Sequence, residues 1–287
     1  MKALVVGGTG TVGSEVARQL AKRGVEAHVL TRDPDKAKGL PPGVRAVKGD
    51  LLDPATVRSA FPGMDALFLA NAVSASESHE GLLAVNGARL AGIRRVAYVS
   101  VHKADDAAYL PHFGSKISVE AALQTSGFSG AILRPNNYFQ NDLWYRDAIL
   151  QGGVYPQPLG DRGVSRVDVR DVAEAAVIAL TGRSEGLETW NLVGPAAWTG
   201  KASAEAWSRE LGRPVAYLGN DLDAWEREAV KSLPAWMAFD FRMMYAYFQE
   251  HGFQASPEDV ERLTKILGRP PRRYEDFVAE TARAWKG

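Results

Sequence analysis

Gly7-Gly8-Thr9-Gly10-Thr11-Val12-Gly13 carries the spacing Gly-x-x-Gly-x-x-Gly directly after a short apolar run and at the start of an amphipathic stretch. Each glycine then has a task. The first permits a tight turn, the second lets main chain come close to a pyrophosphate, and the third lets helix pack against strand. The phosphates would lie at a helix N-terminus, where free N–H groups and aligned peptide dipoles favour negative charge. Gly7, Thr9, Gly10, Thr11, Val12 and Gly13 are therefore the expected contacts of a dinucleotide. A strand-to-helix turn that binds nothing is the plain alternative.

Which dinucleotide is decided further on. A second apolar run ends in Thr31-Arg32-Asp33, where NAD-binding domains usually offer a carboxylate to the ribose hydroxyls. Here a guanidinium comes first. Arg32 is suited to a 2′-phosphate, with Thr31 as an added donor and Lys36 as a more distant one, so NADP(H) is expected. Asp33 keeps NAD(H) as the alternative. After the third run, Asp50 can bond the adenine amino group and Leu51 can pack on the ring, or Asp50 only shapes the turn before Asp53-Pro54. Ala70, Asn71 and Ala72 follow the fourth run and would line the ribose side.

These residues need a sheet to hold them. Strands are predicted at Ala3–Val6, Ala27–Leu30, Val44–Lys48, Ala66–Leu69, Val96–Ser100 and Gly130–Leu133, alternating with helices near Val12–Arg23, Pro54–Ala60, Glu77–Ala91 and Phe113–Thr125. That alternation predicts an α/β fold, a Rossmann-type doubly wound parallel sheet, with a smaller, mostly helical C-terminal domain. The first domain is expected over 1–135, with 166–192 returning to it through a helix at Asp168–Leu180 and a strand at Glu188–Leu192. Residues 136–165, with one helix at Asp142–Leu150, and the aromatic-rich 193–287 form the second.

Bulk composition excludes several functions. The 287 residues hold 34 basic and 34 acidic side chains, so no global field favours nucleic acid or a membrane surface. With no cysteine there is no disulfide, thiolate metal site or thiol nucleophile, and redox chemistry must come from a bound cofactor. No stretch reads as a signal-peptide core or a membrane span, and a cytoplasmic location is the default expectation. Five scattered histidines give no ligand spacing such as His-Glu-x-x-His, so no metal site is expected and a metal-dependent hydrolase has little support.

The glycine loop, Thr31-Arg32, Gly49-Asp50, Lys116 and Leu133-Arg134-Pro135-Asn136-Asn137-Tyr138-Phe139-Gln140-Asn141 together resemble the NmrA-like family of atypical short-chain dehydrogenase/reductase proteins. Leu267-Gly268-Arg269-Pro270-Pro271 and Tyr274-Glu275-Asp276-Phe277 look like the family's C-terminal tail. The resemblance implies a Rossmann domain, a small C-terminal domain and a cleft between them. Reductases of the wider superfamily commonly use Tyr-x-x-x-Lys, where the tyrosine protonates a carbonyl. This chain reads His112-Phe113-Gly114-Ser115-Lys116: the lysine is matched and the tyrosine is absent.

The resemblance suggests that Lys116 holds the nicotinamide ribose, the alternative being a surface lysine on a helix. His112, one turn earlier, can face the same way and is of a type suited to proton transfer, or is only a neighbour of the helix start at Pro111. Ser100 lies near where the family's serine would fall, but Val101 follows it, so the full triad is in doubt. Asn136, Asn137, Tyr138 and Phe139 follow the sixth strand, at the edge where open α/β sheets bind ligands, and are the expected substrate contacts. A turn that anchors the second domain is the alternative.

The resulting expectation is an NADP(H)-dependent oxidoreductase that transfers hydride to a small quinone, carbonyl or imine. Its rival is a non-catalytic NADP(H) sensor that presents a conformation to a protein partner, as the family's regulatory members imply.

Overall fold

A computed structural model describes residues 1–37 and 39–286, with the side chains of Lys36 and Ala37 outside the description. The chain runs β1 (Lys2–Val6), α1 (Thr11–Lys22), β2 (Glu26–Thr31), β3 (Val44–Lys48), α2 (Pro54–Ala60), β4 (Ala66–Leu69), α3 (Glu77–Leu90), β5 (Arg95–Val99), α4 (Pro111–Gln124) and β6 (Ser129–Pro135). A 3-10 segment (Phe139–Tyr145), α5 (Arg146–Leu150) and β7 (Val154–Tyr155) follow, then α6 (Val169–Thr181) and β8 (Leu187–Leu192). The remainder is α7 (Gly200–Leu211), β9 (Ala216–Tyr217), α8 (Leu222–Ala229), α9 (Ala235–His251), α10 (Pro257–Leu267) and α11 (Tyr274–Lys286).

Seven strands form one sheet in the order β3-β2-β1-β4-β5-β6-β8, and the pairings from β3 through β6 are all parallel. The order reverses between β1 and β4, the switch point at which open α/β sheets bind ligands. Strand periodicity divides the core. Leu4, Val6, Leu67, Leu69, Val96, Tyr98 and Ile132 pack with Phe61, Ala84, Val85, Ala88, Val119 and Leu123 of the α2–α4 side. Intervening residues such as Val5, Val29 and Ala97 are equally buried and face the other side, as expected when both faces of a parallel sheet are covered.

Local chemistry sets the helix ends. Asp53 caps α2 by accepting from Ala55 N, with Pro54 in the first turn, and Pro111 likewise opens α4. Ser256 and Asp259 form a reciprocal capping box on α10.

Two compact units result: Met1–Pro135 with Val169–Asn191, and Asn136–Asp168 with Leu192 onward. Residues 166–168 and Leu192 sit in the second unit. The expected helix at Asp142–Leu150 is split, because its first part is a 3-10 segment and only Arg146–Leu150 is α-helical. No helix among the described residues is long and apolar enough to cross a membrane.

Candidate functional site

The carboxyl end of β1 turns at Gly7 with φ +77°. A Cβ at Gly7 would stand 2.2 Å from the Ala70 carbonyl oxygen at the end of β4, one at Gly8 2.6 Å from Val29 Cγ2, and one at Gly13 2.3 Å from the Gly7 oxygen. Those three are glycine because the fold's own atoms fill the space. Gly10 is different: its backbone is extended (φ −89°, ψ 176°), and the nearest atom to an added Cβ is the Gly7 oxygen at 3.3 Å. Packing within the chain leaves room for a small side chain there with a shift of a few tenths of an ångström. The missing Cβ instead leaves the start of α1 open to close approach. No acidic side chain lies in the first turn of α1, and its leading N–H groups have no intrahelical acceptor, so the loop fits a pyrophosphate.

Arg32 is exposed, while Thr31 is buried. The Thr31 hydroxyl donates to Asp33 O at 3.0 Å and accepts from Asp33 N at 3.2 Å, so it shapes the turn that carries Arg32. Asp33 accepts from Asp35 N at 3.0 Å. Lys36, the more distant candidate, has its side chain outside the described residues. Asp50 Oδ1 accepts from Leu52 N at 3.0 Å, its amide donates to the Thr56 hydroxyl, and Leu51 lies in the core. At the end of β4, Ala70 N donates to Val6 O and Ala72 is exposed. Neither polar atom of the Asn71 amide has a hydrogen-bond partner among the described residues, although both are buried.

The buried face of α4 carries His112, Lys116 and Glu120 at successive intervals of four. Lys116 Nζ bonds Glu77 Oε1, in the first turn of α3, at 2.6 Å, and both side chains are buried. Glu120 receives the Ser100 hydroxyl and is gripped by Arg134, whose Nη1 reaches Asp105 at 2.8 Å. Ser100 directly follows β5, two residues after Tyr98, whose side chain packs toward α3 and α4. The Tyr98 hydroxyl is buried and has no hydrogen-bond partner among the described residues. Burial, with the carboxylates of Glu77 and Glu120 nearby, raises its phenol well above the usual range. His112 is buried, with its ring edge-on to Phe113 at 4.8 Å.

Lys116, Ser100 and His112 are thus all placed on the inner side of α4 or facing it. Sequence reasoning missed what engages two of them, Glu77 on Lys116 and Glu120 on Ser100, and it missed the buried Tyr98 beside these carboxylates. The spacing of Lys116 and Glu120 was a readable signal. The pairing of Glu77 with Lys116, 39 residues apart, had none.

Residues expected to touch substrate belong to the second unit. Asn136 donates to Phe253 O at 2.8 Å and accepts from Asn137 N at 2.9 Å, and Phe139 packs on Tyr274 and Phe277 with centroids 5.2 and 5.7 Å apart. Asn137 Oδ1 accepts from Arg166 Nε at 3.0 Å, and Arg166 Nη2 donates to the Tyr138 carbonyl at 2.8 Å. Arg166 in turn pairs with the fully buried Asp142 at 2.7 Å. Asp142 also accepts from Tyr155, Gln157, Trp207 and Tyr274, a convergence that the sequence did not announce.

The NmrA-like family model matches residues 1–276. An NAD(P)H azoreductase of Xenophilus azovorans is 31% identical over 291 residues, covering 98% of both chains. A (4-alkanoyl-5-oxo-2,5-dihydrofuran-3-yl)methyl phosphate reductase of Streptomyces griseus subsp. griseus is 32% identical over 285 residues, again covering 98% of both. Among solved structures, an NADPH-dependent quinone oxidoreductase of Escherichia coli complexed with NADPH superposes with a TM-score of 0.84 at 25% identity over 100% of both chains.

Proposed function

The chain belongs to the NmrA-like family, and from that premise we propose that it is an NADP(H)-dependent oxidoreductase reducing a small, partly apolar acceptor: a quinone, a carbonyl or an imine. The observation that carries the reading is Gly10, bare where the chain's own packing does not require it, at the start of a helix beside the switch point of the sheet. Relatives similar over almost the whole chain are reductases that use a reduced nicotinamide.

When bound, the cofactor supplies a hydride from its dihydronicotinamide ring. The residues of this chain hold and orient it. The first turn of α1 receives the pyrophosphate, Arg32 the 2′-phosphate, and Lys116 the hydroxyls of the nicotinamide-side ribose. Asn71 offers an unpaired donor and acceptor at the end of β4. Ser100 donates its hydroxyl hydrogen bond to Glu120 and so ties β5 to α4 rather than serving an acceptor. The four-residue spacing that would hold a tyrosine holds His112, which can donate a proton where the acceptor demands one. A quinone demands it least, since its reduced oxygens are stable anions that take protons from water. Asn137 and Tyr138 are assigned to the acceptor, carried on the Arg166–Asp142 pair. The protein is expected in the cytoplasm, with a small molecule as its partner.

The test is NADPH oxidation against a panel of quinones, aldehydes and azo compounds, alongside direct titration of NADPH and NADH. Turnover with at least one quinone and tighter binding of NADPH are expected. Binding without turnover across the panel would replace this reading with that of a sensor for a protein partner.

A further inference from the structure

Glu77 is a buried carboxylate that the motif of this fold does not require. It opens α3, is 2% exposed, and its Oε1 accepts from Lys116 Nζ at 2.6 Å. Its second oxygen, Oε2, is buried and makes no hydrogen bond among the described residues. The neighbourhood is close-packed: a Cβ on Gly81, one turn along α3, would meet Val119 Cγ2 of α4 at 2.5 Å and Asn71 Oδ1 at 3.3 Å. Among the described residues of this unit, four buried polar atoms have no hydrogen-bond partner, on Asn71, Glu77 and Tyr98. A fold built only for stability would fill such a place with apolar side chains, because a buried ion pair is often no better than a well-packed apolar pair. Keeping the charges points to a need for the ammonium itself.

Lysine is a flexible point charge with three donors on a four-carbon stem, and it needs an anchor to present them in one direction. The anchor at hand is Glu77, which takes one donor and leaves two. No tyrosine stands four residues before Lys116 to share that task.

We propose that Glu77 is the positioning residue for Lys116, fixing its ammonium so that its two remaining donors serve the ribose hydroxyls of a bound nicotinamide cofactor. This rests on the NADP(H) reading given above. Glu77 acts through Lys116, so removing it loosens cofactor binding only while Lys116 is present.

The experiment compares the unaltered protein with Glu77→Gln, Glu77→Asp, Lys116→Met and the Glu77→Gln/Lys116→Met double variant. NADPH dissociation constants come from titration, KM and kcat from menadione reduction, and thermal midpoints from the cofactor-free proteins. Glu77→Gln is expected to raise the dissociation constant and KM for NADPH by about ten- to a hundredfold, the scale of a hydrogen bond to a charged group. Glu77→Asp should recover part of that loss, and the double variant should bind no more weakly than Lys116→Met. A folded Glu77→Gln protein with altered thermal midpoint but unaltered NADPH binding and KM overturns the proposal, because a purely structural carboxylate would behave that way. So does an additive loss in the double variant. If Glu77→Gln does not fold, Lys116→Met against the double variant decides the matter: equal affinity supports the proposal, and a further loss overturns it. An unaltered protein that fails to bind NADPH at all overturns the cofactor reading itself, before any variant is considered.

Discussion

Arg134 closes one edge of its guanidinium on both oxygens of Glu120: Nε lies 3.0 Å from Oε1 and Nη2 2.5 Å from Oε2, across the 14 residues between the end of β6 and α4. The fork geometry suits a carboxylate, and the Glu120 hydrogen bonds raise the Arg134 guanidinium further above its ordinary range. Glu120 is 3% exposed, so its carboxylate relies on Arg134 and Ser100 rather than on water for its hydrogen bonds. Arg134→Met should destabilise the fold by about 3–5 kcal/mol, the usual result of stranding one member of a buried pair. Ser100→Ala, which removes only the hydroxyl donor to Glu120, should cost ~1 kcal/mol and leave turnover nearly intact. Urea unfolding measures the first and menadione reduction the second. A large fall in kcat in a stable Ser100→Ala protein would return the serine to the chemistry.

Gly10 and Gly13 make a matched pair of opposites. At Gly10 the backbone is extended and an added Cβ comes 3.3 Å from the Gly7 oxygen, a contact relieved by a shift of a few tenths of an ångström, whereas at Gly13 a Cβ would lie 2.3 Å from that oxygen and 2.8 Å from Gly8 Cα. Gly10→Val is therefore expected to fold and to lose NADPH binding, since the side chain occupies the approach of the pyrophosphate. Gly13→Val is expected to lose the fold around α1. Circular dichroism with NADPH titration separates the two, and a Gly10→Val protein that still binds would make the loop a structural turn.

This contrast also shows what a sequence can disclose. The glycine spacing, the apolar runs and the Pro111 helix start act over a few residues, and such local rules placed β1 to β6 and α1 to α4. The spacing of His112 and Lys116 was legible for the same reason, while the next step of four, to Glu120, went unread. Glu77 was not, because its partner is set by how α3 and α4 pack, and packing is not written in either helix alone. Asp142 was read as the start of a helix. It is instead a carboxylate within a 3-10 segment, on which side chains from several elements converge, and such non-local contacts leave no local pattern to read.

In the proposed reading, Arg32 is the residue assigned to discriminate between the two nicotinamide cofactors. The Thr31 hydroxyl is spent on the Asp33 backbone and Asp33 itself turns to Asp35 N, which leaves the exposed guanidinium as the group suited to a 2′-phosphate. Arg32→Ala should reduce the preference for NADPH over NADH by about 1–3 kcal/mol, the scale of a charge-assisted hydrogen bond. Affinities for both cofactors, measured at one ionic strength, test this. Equal affinities in the unaltered protein would sink the NADP(H) assignment.

Asp142 should be the costliest single substitution in the second unit. Its Oδ1 accepts from Arg166, Tyr155 and Gln157, and its Oδ2 from Trp207 and Tyr274. Asp142→Ala leaves the fully buried Arg166 without a countercharge and should cost about 3–5 kcal/mol. Trp207, one of the donors, reports the change directly through its fluorescence. A stable variant with native fluorescence would show that the network contributes little to holding the unit together.

Tyr98 gives a prediction in which the direction of the pH effect can be worked out. Burial is the main cause that raises its phenol well above the ordinary range, and Glu77 and Glu120 push the same way. The folded chain therefore holds Tyr98 neutral where an unfolded chain would let it ionise. Such a group contributes stability that is fully present below its unfolded pKa, about 10, and is lost as pH rises toward the folded value. Tyr155 and Tyr245 are raised by burial as well, so stability should fall steeply above about pH 10 in the unaltered protein. Tyr98→Phe removes one of these contributions and should make the alkaline fall shallower without abolishing it. It also removes a buried hydroxyl that has no partner, and an unpaired polar group costs about 1–3 kcal/mol to bury. At neutral pH the variant should therefore be more stable than the unaltered protein, by ~1 kcal/mol once partial compensation is allowed for. Urea unfolding from neutral to strongly alkaline pH measures both effects, and a Tyr98→Phe protein clearly less stable at neutral pH would mean that the hydroxyl is satisfied by a bound water.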